Sequence, residues 1–372
     1  MNYVRMPIEV ESPEERGYAS IRFNLAESSV RDRTIADLGV DWRDLVLAYA
    51  DHRGRPDLLS LIAARAGAPV READILTTTG AAGALFIIAT SLLTAADHLV
   101  VVRPNYATNI ETPRAIGCAI SFIDLAFEDG FALDPARIAA ALRPNTRLIS
   151  VTTPHNPTGA MLDAATLRQV IAIAEARSVN VLVDETYRDM AFGPQPPVAA
   201  SLSPSAISVS SVSKTYGIPG VRVGWIVCRD AALMTRFLAA KEQIGICGSV
   251  IDERLAQAAL AQGETWLSSL QARLREGFAT IEAWMAGEPR LEWVKPAGGC
   301  VCFPRVRPDV PVDVEIFYRV LLDDHAAMVG PGHWFEMDQR FMRIGYGWPL
   351  ADELAGGLAA ISASLDAAVG GG

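Results

Sequence analysis

Short apolar runs of strand length, separated for the most part by longer stretches of helical pattern, constrain this chain more than anything else in it. The runs are 99–103 (LVVVR), 148–152 (LISVT), 181–183 (VLV, leading into Asp184), 207–211 (ISVSS) and 223–228 (VGWIVC). Apart from 207–211, none alternates apolar with polar residues, so both faces of those strands must be covered. The helical patterns are 83–94, 163–177 and 230–244. Strands and helices taken in turn imply an α/β fold with a largely parallel sheet and helices on both faces.

Beyond residue 250 the pattern changes. Residues 253–285 read as one long helix, 298–306 (GGCVCFPRV) as a strand, 312–325 as a helix, 341–345 as a short strand and 351–365 as a closing helix. That is a second, smaller α+β lobe, on which the short N-terminal segment is expected to pack. The terminal VGGG, residues 369–372, reads as a frayed tail. At 372 residues the chain suits two domains or one large α/β unit. Half of it is hydrophobic, which excludes disorder for its bulk.

The charge balance, 33 Lys and Arg against 43 Asp and Glu, argues against nucleic acid as a partner. It does not exclude a small anionic ligand, which feels the local field of its pocket. The start of the chain is rich in acids and shows no secretory signal, and the most apolar stretch, 83–102, is interrupted by Asp97 and His98. No membrane span is expected. Five irregularly spaced cysteines read as free thiols in a reducing cytoplasm. No ligand spacing for a metal is present among the histidines and cysteines.

Four segments carry candidate chemistry. Lys214 follows a strand rich in small residues, with Ser211 and Ser213 before it and Arg222 eight positions on. Hydroxyls and a guanidinium hold a phosphate, and a desolvated lysine crowded by cations has a lowered pKa and becomes a nucleophile. Residues 152–160 (TTPHNPTGA) lie at the carboxyl end of a strand, where ligands of open α/β sheets gather, although Asn-Pro and Thr-Gly also make ordinary turns. Asp184 ends a hydrophobic strand, so it needs a cationic partner or serves as a helix cap. Gly80, Ala81 and Ala82 lie in a small-residue turn before a helix, suited to phosphate or to a tight turn alone.

Taken in order, Tyr49…Gly54, Gly80-Ala81-Ala82, Pro104-x-Tyr106, Asn156-Pro157-Thr158-Gly159, Asp184-x-x-Tyr187, Ser211-x-Ser213-Lys214, Arg222 and Arg343 resemble the fold-type I pyridoxal-phosphate enzymes, in particular class I/II aminotransferases. The resemblance implies an aspartate aminotransferase-like architecture. Its large lobe, residues 46–284, would hold a mostly parallel, seven-stranded-type sheet covered by helices, and residues 1–45 and 285–372 would form a discontinuous small α+β lobe. It implies pyridoxal 5'-phosphate as cofactor and a homodimer with active sites at the interface.

The same resemblance assigns roles. Lys214 would form the Schiff base and shuttle the proton between Cα and C4′. Asp184 would pair with the ring nitrogen, and Tyr187 and Asn156 would bond the ring's 3′ oxygen. Tyr106 would stack on the ring. Gly80, Ala81, Ala82, Ser211, Ser213 and Arg222 would form the phosphate cradle, and Tyr49 would reach the phosphate of the other subunit. Arg343, beside Asn156, would clamp the substrate carboxylate. Residues 329–335 (VGPGHWF) would offer Gly332, His333 and Trp334 to a side-chain pocket.

Residues 23–30 (FNLAESSV) lack the usual glycine-rich turn of the aspartate-type enzymes. With TPHNPTGA and GGCVCFPRV they resemble the capreomycidine-synthase-like branch. Members of that branch cyclise or eliminate, but Tyr187, which the cyclising enzymes do not all have, points to transfer of an amino group between an L-amino acid and a 2-oxo acid. The alternative is a lyase, cyclase or oxidase acting on arginine or a derivative. A regulator with an aminotransferase-like domain is disfavoured, because no helix-turn-helix or basic patch precedes residue 46. For a dicarboxylate substrate, Arg22 and Arg254 are the candidate second arginines.

Overall fold

The computed structural model describes residues 1–369; of the tail expected to fray, Gly370–Gly372 lie outside the described residues, whereas Val369 is held in an antiparallel bridge to Val312. Its centre is a seven-stranded sheet. The strands are β1 (Ile75–Thr79), β2 (His98–Arg103), β3 (Ala119–Asp124), β4 (Thr146–Thr152), β5 (Asn180–Asp184), β6 (Ala206–Ser211) and β7 (Val223–Cys228). They lie in the order β1-β7-β6-β5-β4-β2-β3. Only β7 runs against its neighbours; β6, β5, β4, β2 and β3 pair in parallel. In the inner strands Val100, Ile149, Val181 and Val183 face one apolar layer, and Leu99, Val101, Leu182 and Ile207 face the other. Two apolar layers are the reason most of the runs show no alternation, and each fully buried Val, Leu or Ile contributes roughly 1.5–3 kcal/mol.

Helices α1 (Pro56–Ala66), α2 (Gly80–Leu92), α3 (Thr108–Ile116), α4 (Ala164–Glu175) and α5 (Ala231–Gly245) pack around the sheet. Asp163 caps α4 by accepting from the Thr166 amide, and Asp230 caps α5 by accepting from Ala232 and Leu233. The single helix expected over 253–285 is two: α6 (Val250–Ala261) and α7 (Gly263–Gly287). Gly263 has φ +44°, a left-handed backbone that interrupts the helical repeat. The strand expected over 298–306 is also cut, into Val301–Cys302 and Arg305–Val306. Pro304 stands between them and has no N–H to offer a ladder. Helix α2 begins at Gly80, three residues earlier than the pattern suggests, which places Gly80, Ala81 and Ala82 in its first turn.

Helices α8 (Val314–Asp323) and α9 (Ala351–Ala368) cover the short strands of the C-terminal region. The N-terminal chain joins them through a parallel pair, Phe23–Asn24 with Ala327–Met328. We propose the two-lobe division on that pairing. The end of the N-terminal segment leans the other way: Arg33 donates its amide to the Gly217 carbonyl, and Leu38 packs with Leu58, Ile62 and Leu255 of the large lobe. Among the described residues no helix is long and apolar enough to cross a membrane.

Candidate active site

Strand direction decides what meets at the carboxyl edge of the sheet. Strands β4, β5 and β6 end there on Thr152, Asp184 and Ser211, with Thr152 paired to Asp184. Strand β7 is antiparallel, so it brings its beginning to the same edge; Arg222 immediately precedes it, and Gly224 pairs with Ser211. Strand β1 ends at Thr79 and delivers the N-terminus of α2. A cavity of about 530 Å³ opens between this edge and the C-terminal region. Lys214, Asp184, Tyr187, Tyr106 and Asn156 line it, as do Ala81, Ala82, Ser211, Ser213, Arg222 and Arg343.

At one end the first turn of α2 abuts Arg222, whose carbonyl accepts from the Gly80 amide at 3.0 Å. Gly80 has φ +66°, which favours glycine, and a Cβ there would lie 2.5 Å from the Arg222 Nη2 and push the guanidinium aside. A Cβ on Gly224 would lie 2.4 Å from the Gly80 carbonyl carbon, which holds β7 and the first turn of α2 in close contact. Arg222 Nη1 donates to the Pro219 carbonyl at 2.9 Å and reaches Ser213 Oγ at 3.5 Å. A helix N-terminus, two serine hydroxyls and an arginine form an anion cradle.

In the middle, Asp184 is buried, and its Oδ1 accepts from the Thr186 amide at 3.1 Å and the Thr186 hydroxyl at 2.6 Å. Burial raises its pKa, while the bonds from Thr186 and Asn109 act the other way. No lysine or arginine is among the groups acting on it, so a cationic ring nitrogen is the partner this carboxylate lacks. Lys214 is half-buried, and desolvation lowers its pKa; the Arg343 charge works in the same direction and Glu27 against it. Burial pushes the Tyr187 phenol above its ordinary range.

At the far end Arg343 is buried on the strand Met342–Gly345. Its Nη1 donates to Asn156 Oδ1 at 3.0 Å and its Nη2 to the Ala26 carbonyl at 2.6 Å. The ring of Phe335 lies under the guanidinium, 5.0 Å away, and the Arg343 Nε is buried without a hydrogen-bond partner. Its hydrogen-bond partners are a neutral amide and a carbonyl, and Glu27 acts on it without forming an ion pair, which leaves the guanidinium able to take a carboxylate.

Other candidates fall elsewhere. Tyr49 is 83% exposed and outside the cavity. Trp334 lines the cavity, whereas His333 Nε2 bonds Glu11 Oε2 at 2.7 Å. Neither Arg22 nor Arg254 lines it: Arg22 lies over the Phe23 ring, and Arg254 bonds Gln257. Sequence reasoning missed Glu9, Glu14 and Glu27, all on the cavity wall, and Asn109 behind Asp184. Glu27 had a readable signal, since it stands where residues 23–30 depart from the glycine-rich turn.

A phosphate-sized cradle, an uncompensated buried carboxylate and a desolvated lysine along one sheet edge define a pyridoxal-phosphate enzyme of fold type I, with the aspartate aminotransferase-like architecture. The chain belongs to the aminotransferase class I and II family, whose model matches residues 43–353. It is 31% identical over 297 residues to capreomycidine synthase of Streptomyces vinaceus, covering 78% of this chain and 74% of that one. It is also 31% identical over 302 residues to arginine–pyruvate transaminase of Pseudomonas aeruginosa, covering 77% and 74%. A solved pyridoxal-phosphate-dependent aminotransferase from Streptococcus suis superimposes with a TM-score of 0.90 at 28% identity, covering 98% of each chain. The cofactor is pyridoxal 5'-phosphate, and the cradle and Asp184 fit it.

Proposed function

We propose that the chain is an aminotransferase that moves the amino group of an L-amino acid with a cationic side chain to a 2-oxo acid. The observation that carries the substrate class is the charge around the cavity. Its cations, Lys214, Arg222 and Arg343, match an aldehyde, a phosphate and a carboxylate. Glu9, Glu14 and Glu27 remain on the wall, and none of them forms an ion pair with a cation among the described residues. Desolvation raises the pKa of Glu27, the charges of Lys214 and Arg343 act the other way without an ion pair, and its one side-chain hydrogen bond comes from the Tyr18 hydroxyl at 3.1 Å. A guanidinium or ammonium supplies what these carboxylates lack. The printed name of the Pseudomonas aeruginosa transaminase, which specifies arginine, supports the same class.

When bound, the cofactor supplies the electron sink that makes the substrate Cα–H acidic. The residues do the rest. Ala81, Ala82, Ser211, Ser213 and Arg222 hold the phosphate, Asp184 holds the ring nitrogen in its protonated form, and Tyr106 covers the ring. Tyr187 and Asn156 bond the ring oxygen. Arg343 holds the substrate carboxylate and so orients Cα toward Lys214, whose Nζ removes the proton there.

A homodimer completes the reading. Val46, Tyr49 and Val250 share one surface groove, and Val46, Leu47 and Tyr49 are exposed apolar side chains of the kind that seek cover. Tyr49 then serves the partner's phosphate. Unpaired cysteines suit a cytoplasmic setting. A second reading, a lyase, cyclase or oxidase on arginine or a derivative, draws on the likeness to capreomycidine synthase, and the acidic wall serves it equally.

The substrate class is tested with Glu14→Gln and Glu27→Gln combined. The preference for L-arginine over its neutral isostere L-citrulline, measured as the ratio of kcat/KM, is expected to fall roughly tenfold or more. An unchanged ratio would remove the acidic wall from substrate choice.

A further inference from the structure

We propose that Lys241, Thr77 and Glu253 are positioning residues: they form a buried clamp that fixes residues 51–55 against the strand feeding the phosphate cradle, and so set where Tyr49 stands. The inference rests on the reading of Tyr49 as a contact to the partner's phosphate in a homodimer.

The clamp begins at Lys241, whose Nζ donates to the Thr77 hydroxyl at 3.0 Å. An ammonium has no acceptor, so the hydroxyl oxygen takes that bond and keeps its own proton to give. That proton has two takers, Glu253 Oε1 at 2.6 Å and the Arg53 carbonyl at 3.0 Å. The Arg53 carbonyl already accepts from the Thr77 amide at 2.8 Å, and a carboxylate is the stronger acceptor, so the proton goes to Glu253. The other oxygen, Glu253 Oε2, accepts from the Arg55 amide at 2.8 Å. The backbone is thereby held on both sides of Gly54, at Arg53 and at Arg55. A Cβ on Gly54 would lie 2.5 Å from Thr77 Cγ2, and one on Gly248 would lie 2.3 Å from Glu253 Oε1, so both segments run directly against the cluster.

The setting makes the clamp consequential. Lys241, Thr77 and Glu253 are all buried, where water offers no substitute partner, and none of them lines the cofactor cavity. Desolvation lowers the pKa of Lys241, and the Glu253 charge works against it. Two opposite charges bridged by one hydroxyl satisfy each other, and removing either leaves a buried charge alone. Four elements meet there: Thr77 is on β1, Lys241 on α5, Glu253 on α6, and Arg55 precedes α1. The segment's exposed ties, from His52 to Glu242 and from the Arg53 guanidinium to the Ala73 carbonyl, compete with water and hold little. Tyr49 is exposed and has no hydrogen-bond partner among the described residues, so the chain behind it sets its direction. Strand β1 leads from Thr77 into Gly80, and Asp51 lies two residues after Tyr49. One cluster therefore joins the cradle of its own subunit to the tyrosine offered to the other.

The test measures the rate at which the full-length holoenzyme releases pyridoxal 5'-phosphate, in a double-mutant cycle of Tyr49→Phe and Glu253→Ala. Each single variant is expected to release the cofactor roughly tenfold faster, the effect of losing one hydrogen bond to a charged group. The double variant is expected to stay within about threefold of Tyr49→Phe alone, because a clamp that acts through Tyr49 has nothing further to lose once that hydroxyl is gone. Accelerations that multiply to about a hundredfold, or wild-type release from Glu253→Ala beside fast release from Tyr49→Phe, overturn the proposal, since a merely structural loosening adds to any other defect. Thr77→Val keeps the side-chain shape and removes the hydroxyl; it is expected to show the same non-additive pattern and carries the test if the alanine variant does not fold. Wild-type release from Tyr49→Phe would remove the reading of Tyr49 itself, and the proposal with it.

Discussion

The Lys214→Ala variant is expected to fold, to carry no covalently attached cofactor and to lose activity by roughly a thousandfold or more. Two functions leave together. The amine that attaches the cofactor is gone, and so is the base at the substrate Cα. The lowered pKa of Lys214, caused first by desolvation and then by Arg343, enlarges the neutral fraction able to attack a carbonyl. Folding is spared because the variant removes a half-buried charge. Borohydride reduction followed by mass spectrometry reads the attachment directly. Wild-type chain gains the mass of the cofactor at Lys214, and the variant gains none. A variant that still gains it at another lysine, or that keeps wild-type turnover, takes Lys214 out of the mechanism.

Arg343→Ala should cost nearly as much in kcat/KM and leave the cofactor in place. Truncating one partner of a buried charge pair typically costs about 3–5 kcal/mol, and about 1.4 kcal/mol is a factor of ten, so a loss of roughly 10²–10³-fold is expected. Arg343→Lys should recover little of it. The guanidinium is held by Asn156 and the Ala26 carbonyl and laid against Phe335, and a point charge reproduces neither the fork nor the plane. The measurements are kcat and KM for the amino acid, with cofactor content by absorbance. A KM unchanged within a factor of two would mean that the carboxylate binds elsewhere.

What could be read from the residues, and what could not, divides along a physical line. Strands β2, β4, β5, β6 and β7 were legible because both faces are buried and the runs are continuous. Strand β3 was not, because it is an edge strand: only Ile123 in it is buried, and its pattern is correspondingly weak. Helix α3 carries Pro113 in its interior and little apolar character, and it was missed for the same kind of reason. In the candidate site, Lys214, Asp184, Arg222 and Arg343 had signals because ordered motifs surround them, and the structure brings all four to one cavity. The acidic wall had almost none. Glu9 and Glu14 come from a segment that reads as solvated charge, and only the third dimension lays it over the sheet edge. Asn109 was hidden likewise, since an asparagine facing a carboxylate from another element leaves no local pattern. Net charge misled in one respect. An excess of acids describes a surface, yet here three glutamates and Asp184 line the cavity beside its three cations.

The most direct measurement mixes the purified holoenzyme with L-arginine alone, without any 2-oxo acid, and follows products by mass spectrometry. The account predicts one equivalent of the 2-oxo acid derived from arginine per active site, then a halt, then renewed turnover when pyruvate is added. Continued product formation without an acceptor, or reaction with L-aspartate and none with L-arginine, would contradict it.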